Sequence, residues 1–174
     1  MTHNAVDAYA GLAARIVALV GKAMGWIMVP VVCLVFSVAV LRYGFGIGYA
    51  WLSELYTWLN GTAVMLAAAY TWQEDRQVRV SIFYDRWSVR ARAVVDIVGI
   101  LAILLPTVVV IAYWSWTPIV FSWRRLEGSR ALDGLPGVFL LKSVIIVFCA
   151  LMAIQAFVYL RANLRALRSP PSRP

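Results

Sequence analysis

MGWIMVPVVCLVFSVAVL, Met24 to Leu41, runs for 18 residues without a charged side chain. As a helix rising roughly 1.5 Å per residue it spans about 27 Å, close to the ~30 Å hydrocarbon thickness of a bilayer. Three more apolar stretches follow, at Leu55 to Trp72, Val94 to Trp116 and Val138 to Leu160. Hydrocarbon demands that a spanning backbone satisfy its own hydrogen bonds, so each reads as a helix. The expected fold is an all-α membrane protein with four transmembrane helices. Of the 174 residues 63% are hydrophobic and 14% charged. The connections and tails are all shorter than the roughly 50 residues of a small independent domain, so residues 1–174 read as one membrane domain.

Charge sets the orientation. Counting Arg15, Lys22, the arginines from Arg76 to Arg92 and those of the C-terminal tail, eleven basic residues fall on one side of the expected membrane. Five fall on the other: Arg42, Arg124, Arg125, Arg130 and Lys142. Cytoplasmic loops collect Lys and Arg, which gives an N-in/C-in topology. The net charge of +8 is then a topology signal with anionic lipid headgroups at the cytoplasmic face as its partner, rather than a sign of nucleic acid.

Before the first span, Val6, Tyr9, Leu12, Ile16 and Val20 recur at steps of three and four. That spacing predicts an N-terminal interfacial helix. No cleavable signal peptide is evident, because the first apolar run begins late and is too long. The connection from Gln73 to Arg92 mixes arginines, among them Arg79, with Val78, Ile82, Phe83 and Trp87. It reads as a cytoplasmic amphipathic connection between the second and third spans. The polar, proline-rich end of the chain, about residues 162–174, reads as a disordered tail. Cys33 and Cys149 fall inside separate spans, where thiols behave as small apolar groups and a disulfide is not expected.

Within the spans, Pro30 and Pro106 are expected to kink their helices. The glycine-rich run Gly44 to Trp51 lacks the strand and Lys-Ser/Thr of a phosphate loop and reads as a tight interfacial turn. Ser53, Thr57, Asn60, Gly61, Val64 and Ala68 share one small or polar face of the second helix, expected to pack against protein. Glu54, at the outer end of that helix, is expected to pair with Arg42; an ion or proton pathway is the competing reading. Tyr113, Trp114, Trp116 and Trp123 form an aromatic belt on a third apolar stretch longer than the bilayer needs. Lys142 is expected to snorkel outward from the fourth helix.

The inventory for chemistry is short. With one histidine, His3, haem and di-metal centres lack ligands and a hydrolase lacks its base. The first span has no acid of the kind a compact four-helix exporter uses. No catalytic, cofactor or metal site is expected, and the chain reads as one that assembles rather than reacts.

The run Leu41-Arg42-Tyr-Gly-Phe-Gly-Ile-Gly-Tyr-Ala-Trp51-Leu-Ser-Glu54 is followed by Val78-Arg79-Val80, Phe83-Tyr-Asp85-Arg, Glu127-Gly-Ser129, Leu135-Pro136 and Leu141-Lys142. In that order they resemble the small membrane subunit of tripartite ATP-independent periplasmic (TRAP) transporters, over about residues 20 to 160. Where that family usually shows a histidine and an aspartate around Val-Arg-Val, this chain has Gln77 and Ser81. The resemblance implies a bacterial inner-membrane complex for sodium-driven uptake of an organic acid. Its partners would be a large multispanning subunit that translocates and a periplasmic binding protein that delivers. It also implies subunit or binding-protein contacts among Arg42, Trp51, Glu54, Thr57, Asn60, Gly61, Arg79, Glu127, Ser129 and Pro136. Two other classes stand beside it: a self-sufficient homo-oligomeric carrier or channel, and an assembly factor of another membrane complex.

Overall fold

The computed structural model describes residues 11–74 and 89–168. The elements are α1 (Leu12–Gly44), α2 (Ala50–Gln73), α3 (Val89–Gly99), a π-helical segment (Ile100–Leu104), α4 (Leu105–Arg125) and α5 (Val138–Arg168). Strand-like pairing among the described residues is confined to an isolated antiparallel bridge between Gly128 and Pro136.

Among the described residues three helical stretches are long and apolar enough to cross a membrane: Ala14–Gly44, Arg90–Arg125 and Val138–Arg165. Helix α2 has the length, at 24 residues, but Glu54, Asn60 and a scatter of hydroxyls dilute its apolarity.

Helix α5 is the hub, packing against α1, α2, α3 and α4, while α1 packs mainly on α2. The core joins Val17 of α1, Ala69 of α2, Val108 of α4 and Cys149, Leu151 and Met152 of α5. Close approach of α1 and α2 depends on Gly21, where a Cβ would collide with the Cβ and ring of Tyr70. Both cysteines are free, Cys33 exposed and Cys149 in the core.

Two fastenings give α2 and α5 a common direction. At one end Glu54 of α2 binds the loop that leads into α5. At the other, the Tyr159 hydroxyl donates to the Trp72 carbonyl at 2.9 Å and the two rings stack at 4.8 Å. The bundle therefore has a loop end, with residues 45–49 and 126–137, and a tail end, with Leu12, Glu74, Val89 and Arg168.

Several expectations are revised. Residues 12–23 do not form a separate helix but run without a break into the first span, helical through Pro30. Their buried face is Ala14, Val17 and Gly21, while Ile16 is exposed; Val6 and Tyr9 lie outside the described residues. Val20 packs on the core as well, and at Gly21 Tyr70 of α2 comes too close for any side chain. Helix α5 continues to Arg168, so residues 162–168 are helical where a tail was expected; residues 169–174 lie outside the described residues. The body of the connection, residues 75–88 with Arg79, Gln77 and Ser81, also lies outside them.

The third apolar stretch is an unbroken helical rod over Val89–Arg125 that holds a wider π turn. Its cause is Pro106, which has no N–H for the carbonyl four residues back and whose ring crowds that carbonyl. The backbone widens ahead of it, and the Leu105 N–H reaches Ile100 O instead. Thr107 Oγ1 adds a 2.7 Å bond to Ile103 O in the same turn. A second proline, Pro118, lies inside α4.

Candidate functional site

Chemistry concentrates at the loop end, and the local sequence explains how. Helix α4 stops at Leu126, a leucine in the left-handed region with φ 45°. The Leu126 N–H donates to Trp123 O at 3.2 Å and the Glu127 N–H to Ser122 O at 3.0 Å, the paired bonds of a Schellman cap that glycine normally serves. This cap turns Glu127 back over the helix it leaves. Glu127 Oε2 then accepts from Ser122 Oγ at 2.7 Å and forms an ion pair with Lys142 Nζ at 2.5 Å. The Lys142 bond first, and the Ser122 bond second, hold the Glu127 carboxyl below the usual carboxylate range. Lys142, expected to snorkel outward, reaches Glu127 at the loop end and fastens α5 to the end of α4.

Beyond Glu127 the chain forms a short clasp. The Ser129 N–H donates to Leu135 O at 3.0 Å beside the Gly128 and Pro136 bridge. Glu54 reaches this clasp from α2: its Oε1 accepts from the Ser129 hydroxyl and its Oε2 from the Leu135 N–H at 2.8 Å. Gly134 makes room, since a Cβ there would collide with Ser129 and lie 3.0 Å from Glu54 Oε2. The expected pairing of Glu54 with Arg42 does not occur. Glu54 is half-buried against the loop, whereas Arg42 is exposed at the last turn of α1. The clasp's donors are fixed by backbone and a short hydroxyl side chain; a flexible arginine on α1 is not needed to satisfy the carboxylate.

Neighbouring aromatics complete the end. Trp123 Nε1 donates to Ser143 Oγ at 2.8 Å, and its ring meets Phe139 edge-on at 4.7 Å. The expected tight turn forms: Gly46 takes φ 69°, Ile47 N–H caps Leu41 O at 3.0 Å, and α2 begins at Ala50. Trp51 is exposed there, 6.2 Å from the Tyr49 ring.

The middle of the small face of α2, from Thr57 to Val64, is exposed. Thr57, Asn60, Gly61 and Val64 are all exposed, and a Cβ on Gly61 would meet nothing. Thr57 satisfies itself by donating to Ser53 O at 2.7 Å. Ala68, at the tail end of the same face, packs against the core cluster, and Ala63 and Ala69 are the buried residues of α2.

Of the expected contact residues, the structure gathers Glu54, Glu127, Ser129 and Pro136 into one clasp, puts Thr57, Asn60 and Gly61 on one outward face, and leaves Arg42 and Trp51 at the rim. Sequence reasoning missed Ser122, Ser143, Tyr159 and Gln155. Gln155 is fully buried in α5 with neither amide atom hydrogen-bonded among the described residues. The signal for it was a lone amide inside an apolar run, where a polar group faces protein rather than lipid. No group of three or more His, Cys, Asp or Glu able to hold a metal occurs among the described residues.

A helical membrane protein whose polar residues fasten helices and loops together, or line an outward face, is a component of an assembly in its build. The particular family is the one whose model matches residues 31–166: tripartite ATP-independent periplasmic transporters, DctQ component. The chain belongs to that family. No curated protein and no solved structure matches it.

Proposed function

We propose that this chain is the small membrane subunit of a TRAP-type secondary transporter in a bacterial inner membrane. It holds a large translocating subunit in place for sodium-driven uptake of an organic acid that a periplasmic binding protein delivers. The observation that carries the reading is the outward face of α2. A membrane-facing amide is poorly served by lipid, and Asn60 gains about 1 kcal/mol when it finds a partner across a helix interface. Gly61 beside it permits close backbone approach. Membership of a family of tripartite transporters supplies the occupant, the large subunit.

In this reading α2 is the fourth span: its 24 residues are long enough, and it is held between α1 and α5, both apolar enough to cross. The tail end faces the cytoplasm, in keeping with Arg15, Lys22, Arg90, Arg92, Arg161, Arg165 and Arg168 gathered there, where anionic headgroups meet them. The loop end faces the periplasm.

The test is copurification in mild detergent with the large subunit encoded for the same transporter. Native chain should retain it in stoichiometric amount, and Asn60→Leu combined with Gly61→Leu should lose it while remaining folded. Transport by the purified chain alone in liposomes would overturn the reading in favour of a self-sufficient carrier.

A further inference from the structure

Gln155 is the largest wholly buried side chain among the described residues, with a relative exposure of 0%, and neither its Oε1 nor its Nε2 has a hydrogen-bond partner among them. It lies on the core face of α5. Leu151 and Met152, four and three residues before it, belong to the core cluster, and Tyr159, four residues after it, stacks on Trp72 of α2. Gln73, the residue after Trp72, likewise has a buried Oε1 without a partner among the described residues. Two orphaned amides therefore stand within one helical turn of the same contact between α2 and α5.

A primary amide carries two donors and two acceptor lone pairs. Taken out of water with nothing in its place it opposes folding, whereas an alkyl side chain of similar size packs without that penalty. The amide of Gln155 therefore calls for a group that donates and accepts. Complete burial keeps a partner chain and a lipid headgroup from reaching it. Water is small enough and does both, and buried waters typically make about three bonds to polar groups that would otherwise go unsatisfied. A third partner is at hand: Tyr159 Oη donates to Trp72 O at 2.9 Å and keeps lone pairs with which to accept. The depth is also suitable, since Gln155 precedes the exposed Arg161 by six residues, about 9 Å along α5 from the cationic tail end.

We propose that a resident water bridges the Gln155 amide and Gln73 Oε1, with the stacked Trp72 and Tyr159 rings as its cover on the tail side. The tail-end fastening of α2 to α5 is then a hydrated joint, in which the phenol-to-carbonyl bond and the water bridge act together. The site is internal to the chain and stands independently of the function proposed above.

The experiment is millisecond X-ray radiolysis of the full chain in lipid nanodiscs, read by mass spectrometry. Radicals born from a bound water oxidise the side chain beside it where bulk solvent does not reach. Met152, one turn from Gln155 and 8% exposed, is the reporter. It should be oxidised in the native chain, and that oxidation should be lost in Gln155→Leu. Thermal unfolding supplies the second reading: Gln155→Leu and Gln73→Leu should each lower the melting temperature, and the two together by less than their sum, as partners of one bridge do. Gln155→Met, which keeps the side chain's length, gives the same readings if leucine disturbs the fold. Oxidation of Met152 unchanged by the substitution overturns the proposal, as does a variant that melts above the native chain, which would mean a dry amide. Coupling of the two glutamines without oxidation of Met152 also overturns it, because the amides would then bond directly.

Discussion

The Ser129 hydroxyl donates to the Glu54 carboxylate across 75 residues of sequence, and that one contact carries α2 to the loop between α4 and α5. The Leu135 N–H fills the second oxygen at 2.8 Å. Glu54→Ala leaves a hydroxyl and a backbone amide without their acceptor in a half-buried place, at a cost of roughly 1–3 kcal/mol. Hydrogen exchange at residues 129–136 should accelerate correspondingly, and Glu54→Gln should lie between. Unchanged protection in Glu54→Ala would mean that the clasp holds without its carboxylate.

Glycine is required at one flank of the clasp and not at the other. Gly134→Ala drives a methyl into Ser129 and against Glu54, a strain of about 1–3 kcal/mol. Gly128→Ala meets the Pro136 Cα at an ordinary 3.8 Å and should be tolerated. Thermal unfolding of the two variants in detergent should differ clearly, with Gly134→Ala the less stable.

Leu126 has the opposite problem. Its φ of 45° crowds a Cβ, costing roughly 1–2 kcal/mol that Gly would not incur, partly offset by glycine's freedom in the unfolded chain. Leu126→Gly should raise the melting temperature; a fall would show that its side chain makes a contact worth more than the strain.

The approach of α1 to α2 is tested in the same way. Gly21→Ala places a Cβ inside Tyr70, whereas a Cβ at Gly25 meets nothing. Cysteine crosslinking between the two helices should weaken in Gly21→Ala and persist in Gly25→Ala.

The bond from Lys142 holds the Glu127 carboxyl below its usual range, so the ionised form is favoured in the folded protein. Its contribution is complete above the unfolded carboxyl's pKa and is lost as pH falls through the lower folded value. Protease resistance of the 126–137 loop should therefore persist through mildly acidic pH and give way only below the ordinary carboxylate range. Lys142→Met should move that loss to higher pH.

Long apolar runs were legible because hydrocarbon imposes one solution on them: the stretches beginning at Met24, Val94 and Val138 all lie inside helices. Glu54, Glu127 and Ser129 were singled out by type and order. Their true partners were not, since Ser129 and Leu135 come to Glu54 only after three helices have packed. Nearness in sequence favoured Arg42, and a backbone N–H leaves no mark in a sequence. The π turn was likewise hidden, because Pro106 announces a disturbance but not whether the helix bends or widens. Periodicity before Met24 picked Val20, which packs on the core, and Ile16, which is exposed, and it missed Gly21, which the close crossing with Tyr70 requires.

Glu54 and Trp72, the fastened points of α2, stand 18 residues apart, about 27 Å along the axis. A slide of α2 along α5 by one helical turn, about 5.4 Å, would break both fastenings at once. A rod riveted at two distant points resists shear far better than one held at its middle. Force applied to either helix is shared as thrust on the pair.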